Sequence, residues 1–153
     1  MKLALRILAI VFLLAQFVRP ERTNPPVNPE LVLQAHLDVP AQVDALLRVA
    51  CYDCHSNETQ WPWYASVAPA SWLCVRDTNG GRRHLNFSEW GNYPASKVEH
   101  KLEEIAEYVE SGEMPLNVYM PLHPEARLTE EERRVLVEWA GSAGGKGATA
   151  EGN

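Results

Sequence analysis

Cysteine is scarce in this chain, three among 153 residues, too few for a disulfide scaffold. A basic surplus is missing as well. Fourteen lysines and arginines face twenty aspartates and glutamates, a net charge of −6. That argues against a nucleic-acid ligand, whose binders neutralise phosphates with clustered cations. No segment sustains the period-two alternation of a half-buried strand, which leaves an all-α domain. No internal repeat is present, and the length suits one domain better than two. What is plentiful is proline, with eleven residues, and this predicts long non-helical connections. The apolar fraction of 46% is enough for a packed core. Five tryptophans in so short a chain predict a domain that wraps something flat or large.

The N-terminus reads as a membrane or export segment. Lys2 and Arg6 lead into a twelve-residue apolar run, Ile7 to Val18, broken only by Gln16. A charged start and an apolar stretch of this length fit the core of a signal peptide. The run is short for a spanning helix, which needs about 20 residues, although Arg6 can snorkel. Small residues at a cleavage spacing are missing, with Ala15 the one candidate, so residues 1–19 are expected to be an anchor or signal helix. Residues 20–39 follow as a linker stiffened by Pro20, Pro25, Pro26 and Pro29. A domain over 40–140 comes next. The Gly/Ala-rich tail over 141–153 is expected to be flexible.

Three helices can be read within the domain. Val43, Leu46, Leu47 and Ala50 share a face and place the first from about Pro40 to Ala50. The second is expected to open at Ser96 with Glu99 three positions on, a capping box. Its stripe is Val98, Leu102, Ile105 and Val109, and Gly112 ends it. Thr129 and Glu132 form another capping box for the third, whose apolar residues are Val135, Leu136 and Trp139, with Gly141 as its stop. Residues 56–93 carry no clean period and hold several prolines and glycines. They are expected to be loops with one short helix near 70–75. So long an irregular segment needs a reason, and a prosthetic group that replaces missing core supplies one.

The chemistry lies in Cys51-Tyr52-Asp53-Cys54-His55, a C-x-x-C-H sequence read as a c-type haem attachment site. Two thiols at this spacing add across the two vinyl groups on the porphyrin edge. The adjacent imidazole then comes to lie beneath the ring as proximal iron ligand. Two other readings compete. A redox dithiol has no need of the histidine and would sit in a strand–helix pattern. Half of a zinc site would need two more ligands, for which Cys74 and His84 are available.

Longer blocks extend the pattern: residues 51–64 (CYDCHSNETQWPWY), 81–90 (GRRHLNFSEW), 112–115 (GEMP) and 122–129 (LHPEARLT). Together with Gln16-Phe17-Val18-Arg19-Pro20 they resemble the bacterial haem-binding domain family, which is related to c-type cytochromes. The resemblance spans about 16–140. It implies one haem c, covalently held by Cys51 and Cys54, in a small cytochrome c-like helical domain wrapped around it. It also implies attachment to the bacterial inner membrane with this domain in the periplasm. Cys74 stands where the family would have an aliphatic residue.

For the far side of the iron the leading candidate is Met114, 59 residues after His55 and just before Pro115. Met120, His84 and His123 are the alternatives. A thioether in that position stabilises ferrous iron and raises the potential. Arg82 and Arg83 are candidates to pair with the haem propionates, since guanidinium forks match carboxylates. Asn86 and the indoles of Trp61, Trp63 and Trp72 are further donors, and tryptophans near the motif are expected to pack on the macrocycle. Trp139 is expected to pack on the first helix, while His100 and the glutamates from Glu103 to Glu113 form a solvated face. The functional expectation is a membrane-associated carrier of single electrons between redox partner proteins, with His/Met ligation and no substrate-transforming site. The alternative is a haem-based sensor of small ligands, or a peroxidase-like protein, with an open distal site.

Overall fold

A computed structural model describes the backbone of residues 1–147 and the side chains of residues 1–143. The described residues form seven α-helices and no strand. The helices are α1 (Lys2–Ala15), α2 (Leu33–His36), α3 (Ala41–Ala50), α4 (Tyr52–His55), α5 (Ala70–His84), α6 (Ala95–Glu110) and α7 (Glu130–Gly147). Short 3-10 turns lie at Trp63–Ser66, Phe87–Asn92 and Pro124–Ala126.

The apolar stripes meet in one core. Val43, Leu46 and Leu47 come from α3, Leu102, Ile105 and Val109 from α6, and Leu136, Trp139 and Ala140 from α7. Leu33, Tyr52, Phe87, Trp90 and Leu128 complete it. Burial of one such leucine stabilises by roughly 1.5–3 kcal/mol. Trp139 also donates its indole N–H to the carbonyl of Asp38 at 3.1 Å, tying α7 to the entry of α3. Of the expected solvated face, His100 and Glu103 are exposed, whereas Glu104 is half-buried and pairs with Lys101.

Several boundaries differ from the sequence reading. The helix expected at Ser96 starts one residue earlier, behind Pro94, and no side chain caps it. The extended ψ of Pro94 already sets the entry, so Ser96 falls inside the first turn. The second capping box is real: Glu132 Oε2 accepts from the Thr129 N–H at 2.8 Å, and Thr129 Oγ1 accepts from the Glu132 N–H at 3.2 Å. Gly141 does not stop α7, which continues to Gly147. Glycine lowers helix propensity without forbidding the conformation. The rest of the expected flexible tail, 148–153, lies outside the described residues. The region read as loops contains the 15-residue α5, which runs straight through Gly80-Gly81.

The segment 20–39 is no simple spacer. Its α2 sends Leu33 into the core with no exposed surface, and the carbonyl of Leu31 accepts from the Gly91 N–H at 2.9 Å. At the N-terminus, α1 buries none of its residues. At 1.5 Å per residue its 14 residues span about 21 Å, short of a hydrocarbon core of about 30 Å. Among the described residues no helix is long and apolar enough to cross a membrane.

Candidate functional site

The end of α3 creates the site. Cys51 leaves helical geometry at φ −127° and ψ −37°, and the chain makes one further helical turn, α4. Tyr52 anchors that turn from behind. Its buried ring stacks on Phe87 at 5.2 Å, its hydroxyl accepts from Gln34 Nε2 at 2.7 Å, and the Arg48 guanidinium lies over it at 4.8 Å. With Tyr52 turned to the core, Cys51, Cys54 and His55 line a cavity of about 490 Å³. Pockets for large organic ligands run from roughly 300 to 1,000 Å³. The other walls come from the second half of α5, from Phe87, from the α6 face bearing Ile105, Tyr108 and Val109, and from the loop after α6.

The imidazole of His55 is held in one tautomer. Its Nδ1 lies 3.1 Å from the carbonyl oxygen of Gly81 and 3.1 Å from that of Leu85. Carbonyls only accept, so Nδ1 carries the proton and donates to them. Nε2 keeps its lone pair and has no hydrogen-bond partner among the described residues. Burial, opposed by the two carbonyl contacts, lowers the pKa of this histidine. A neutral imidazole with Nδ1–H pinned to backbone and Nε2 available is the form that ligates a metal.

The thiols are free, with no disulfide between them. Burial pushes Cys51 up to about 12 and Cys54 up to about 11. A dithiol reductant needs the opposite shift, toward thiolate. The zinc alternative finds no support either. Among the described residues no group of three or more His, Cys, Asp or Glu side chains is placed to hold a metal ion. Cys74 faces a smaller cavity of about 170 Å³, while His84 lines the main one.

Gly81 permits the contact between α5 and the motif. A β-carbon there would stand 2.4 Å from the Cys54 carbonyl oxygen. In the sequence Gly81 counted among the glycines of a segment expected to be loops, and it is instead a helix–backbone contact. Asp53 ties in the opposite wall: Oδ2 accepts from the Tyr119 hydroxyl at 2.7 Å and Oδ1 from the Gln60 N–H at 2.7 Å. Burial and the neighbouring Asp53 carboxylate raise the pKa of Tyr119. Its ring stacks on His123 at 3.9 Å, and His123 Nε2 pairs with the Tyr64 hydroxyl at 2.5 Å. Nothing in the sequence marked Tyr108 or Tyr119 as wall residues, because both are set by tertiary packing.

Met114 reaches the cavity because α6 ends abruptly. Gly112 adopts φ +77°, a conformation glycine reaches without strain. The Met114 N–H then donates to the Tyr108 carbonyl at 3.0 Å. From α7, Arg133 Nη1 donates to the carbonyls of Val109 at 2.8 Å and Met114 at 3.3 Å. Met114 and His84 line the cavity, whereas Met120 and His123 do not.

The arginine pair divides. Arg83 is a cavity residue. Arg82 is not, and its guanidinium is engaged elsewhere. Its Nε donates to the Ser56 carbonyl at 2.7 Å and its Nη1 to the Thr23 carbonyl at 2.8 Å. Its Nη2 donates to Asn24 Oδ1 and Thr59 Oγ1, both at 2.8 Å. Four of its N–H groups thus clamp the 20–39 segment to the motif. Asn86 is likewise committed, donating from Nδ2 to Asn57 Oδ1 at 2.9 Å in a buried network. No tryptophan lines this cavity, although Trp61 lines the smaller one beside Cys54. Trp90 and Trp139 belong to the core, and Trp61 and Trp72 donate outward, to Asn24 Oδ1 at 3.2 Å and the Val18 carbonyl at 2.7 Å. The cavity's aromatic walls are Phe87, Tyr108 and Tyr119.

The residues present fit a haem group: a mostly apolar cavity, two thiols and an available imidazole nitrogen on one wall, and a thioether and an arginine elsewhere on its lining. No curated protein and no solved structure matches the chain. A profile of the haem-binding domain family matches residues 10–142, most of the chain, and this chain belongs to the haem-binding domain family.

Proposed function

We propose that the protein holds one haem c through thioethers at Cys51 and Cys54 and carries single electrons between redox partner proteins. When bound, the haem supplies a one-electron ferric/ferrous couple. The chain's part is to ligate, orient and shield it. His55 is assigned as proximal ligand through Nε2, and Met114 as distal ligand, its soft thioether favouring the reduced state. Arg83 is assigned to a propionate. The apolar walls from Phe87, Ile105 and Val109 keep water away. The single observation that carries this reading is the His55 Nδ1–H pinned to the Gly81 and Leu85 carbonyls while both thiols line the same cavity.

We assign α1 to the bacterial inner membrane and the domain to the periplasm. The support is an apolar helix that the rest of the chain leaves uncovered, with Lys2 and Arg6 at its start, on the side expected to face the cytoplasm. The anchor would hold the domain near its partners.

The test is protein produced with haem-maturation machinery. Pigment that survives denaturation and acid acetone supports covalent attachment, and colourless protein defeats the assignment. The long-wavelength charge-transfer band of methionine-ligated ferric haem supports an electron carrier. A high-spin spectrum, with carbon monoxide binding to the reduced protein, favours the second reading of a small-ligand sensor or peroxidase-like protein. That reading draws on one observation: among the described residues the Met114 N–H and carbonyl are hydrogen-bonded to Tyr108 and Arg133 while its thioether has no hydrogen-bond partner.

A further inference from the structure

The longest uncharged stretch of the chain is not α1. It is Thr59 to Val75, 17 residues between Glu58 and Arg76, with three of the five tryptophans. None of the three faces the main cavity. Trp63 is 78% exposed and Trp72 is exposed as well, while Trp61 and Leu73 line the smaller cavity. In a domain where over a fifth of residues are charged, such a surface needs a cover.

Its neighbour indicates which. The end of α1 is clasped to this stretch. Gln16 Oε1 accepts from the Ala68 N–H at 2.9 Å, and Gln16 Nε2 donates to the Ala68 carbonyl at 3.2 Å. Trp72 Nε1 donates to the Val18 carbonyl at 2.7 Å, and Arg22 Nη1 donates to Ser66 Oγ at 2.7 Å. Phe17, 86% exposed, and Val18 continue the apolar surface of α1 into the junction. Whatever medium receives α1 therefore meets residues 63–73 at its boundary.

We propose that the Thr59–Val75 stretch lies in the headgroup boundary of the bilayer that receives α1, so that the haem-binding domain sits on the membrane in a fixed orientation instead of swinging on a tether. The proposal rests on the reading of α1 as a membrane segment. Indole rings suit this depth because one end is apolar and the other donates a hydrogen bond, which is why Trp collects at membrane–water interfaces. A charge-free stretch enters that layer without the cost of desolvating ions. Arg19 and Arg22, beside the junction, carry charges that match lipid phosphates.

The experiment uses the full, haem-loaded chain in vesicles of phosphatidylethanolamine and phosphatidylglycerol. In a Cys74→Ser background, a nitroxide is attached through Trp63→Cys, through Leu8→Cys or through Lys97→Cys. Collisions with oxygen, which favours lipid, are compared with those of a water-soluble nickel chelate. The expected result is oxygen-dominated relaxation at positions 8 and 63, several-fold above the ratio at 97, with Gln16→Ala moving position 63 toward water. An unaltered haem spectrum shows that each variant is folded. A water-like ratio at 63 with position 8 in lipid overturns the docking and leaves the anchor standing. Shielding of 63 from both reagents means a protein covers it, and also overturns the docking. A water-like ratio at 8 defeats the anchor and the docking together.

Discussion

A β-carbon on Gly81 would lie 2.4 Å from the carbonyl oxygen of Cys54, so helix α5 rests directly on the backbone of the haem motif. The same residue's carbonyl accepts from His55. One glycine thus sets both how closely α5 approaches and how the imidazole is oriented.

Gly81→Ala forces α5 away, and overpacking of this kind costs about 1–3 kcal/mol. It should lower the denaturation midpoint and reduce the fraction of purified protein carrying haem. Gly80→Ala, on the cavity wall but clear of the motif backbone, is the comparison in protein without haem. Its β-carbon would meet only Arg83 Nη2 at 3.9 Å, and alanine in a helix interior is favoured by roughly 0.5–1 kcal/mol. The two neighbouring substitutions should move the midpoint in opposite directions.

Arg82 and Arg83 should separate by readout. Arg82→Ala removes a clamp of four hydrogen bonds to Ser56, Thr23, Asn24 and Thr59. About 1–3 kcal/mol of stability should go with it, through the carbonyl and hydroxyl groups left unpaired, while the haem potential changes little. If Arg83 holds a propionate as proposed, Arg83→Ala should leave unfolding nearly unchanged and lower the potential, because a cation lining the cavity disfavours the oxidised, more positive iron. Equal shifts of potential in both variants would refute the division of roles.

Met114→Ala should remove the methionine charge-transfer band and open the reduced iron to carbon monoxide. His84→Ala should leave that band in place. If His84→Ala alone abolishes the native low-spin spectrum, the histidine is the distal ligand and the assignment of Met114 fails.

The capping box at the start of α7 supplies a pH dependence. Hydrogen bonds from the Thr129 N–H and hydroxyl hold the Glu132 carboxyl below the ordinary carboxylate range. Its folded pKa is depressed, so its stabilisation is present above the unfolded value of about 4.3 and is lost as pH falls through the folded one. Denaturation midpoints of wild type and Glu132→Gln should therefore differ at neutral pH and converge in acid.

Local chemistry was legible in the residues alone. The C-x-x-C-H motif brings its two thiols and its imidazole to one cavity because residues within five positions are gathered by one helical turn. The stripes of α3 and α6, the Gly112 terminator and the Thr129–Glu132 box are equally local, since each depends on residues within one or two turns. Only the tertiary structure decided the remainder. It made Gly80-Gly81 part of a helix, because contact with Cys54 requires a residue without a side chain. It gave Arg82 to the linker and Arg83 to the cavity, although the two are adjacent in sequence and identical in chemistry, since neighbours on a helix point some 100° apart. It turned Trp61 and Trp72 away from the main cavity, because their hydrogen-bond partners, Asn24 and Val18, come from about 40 to 50 positions earlier in the chain. Such contacts between distant segments have no period and no fixed spacing, and that is why sequence pattern alone does not contain them.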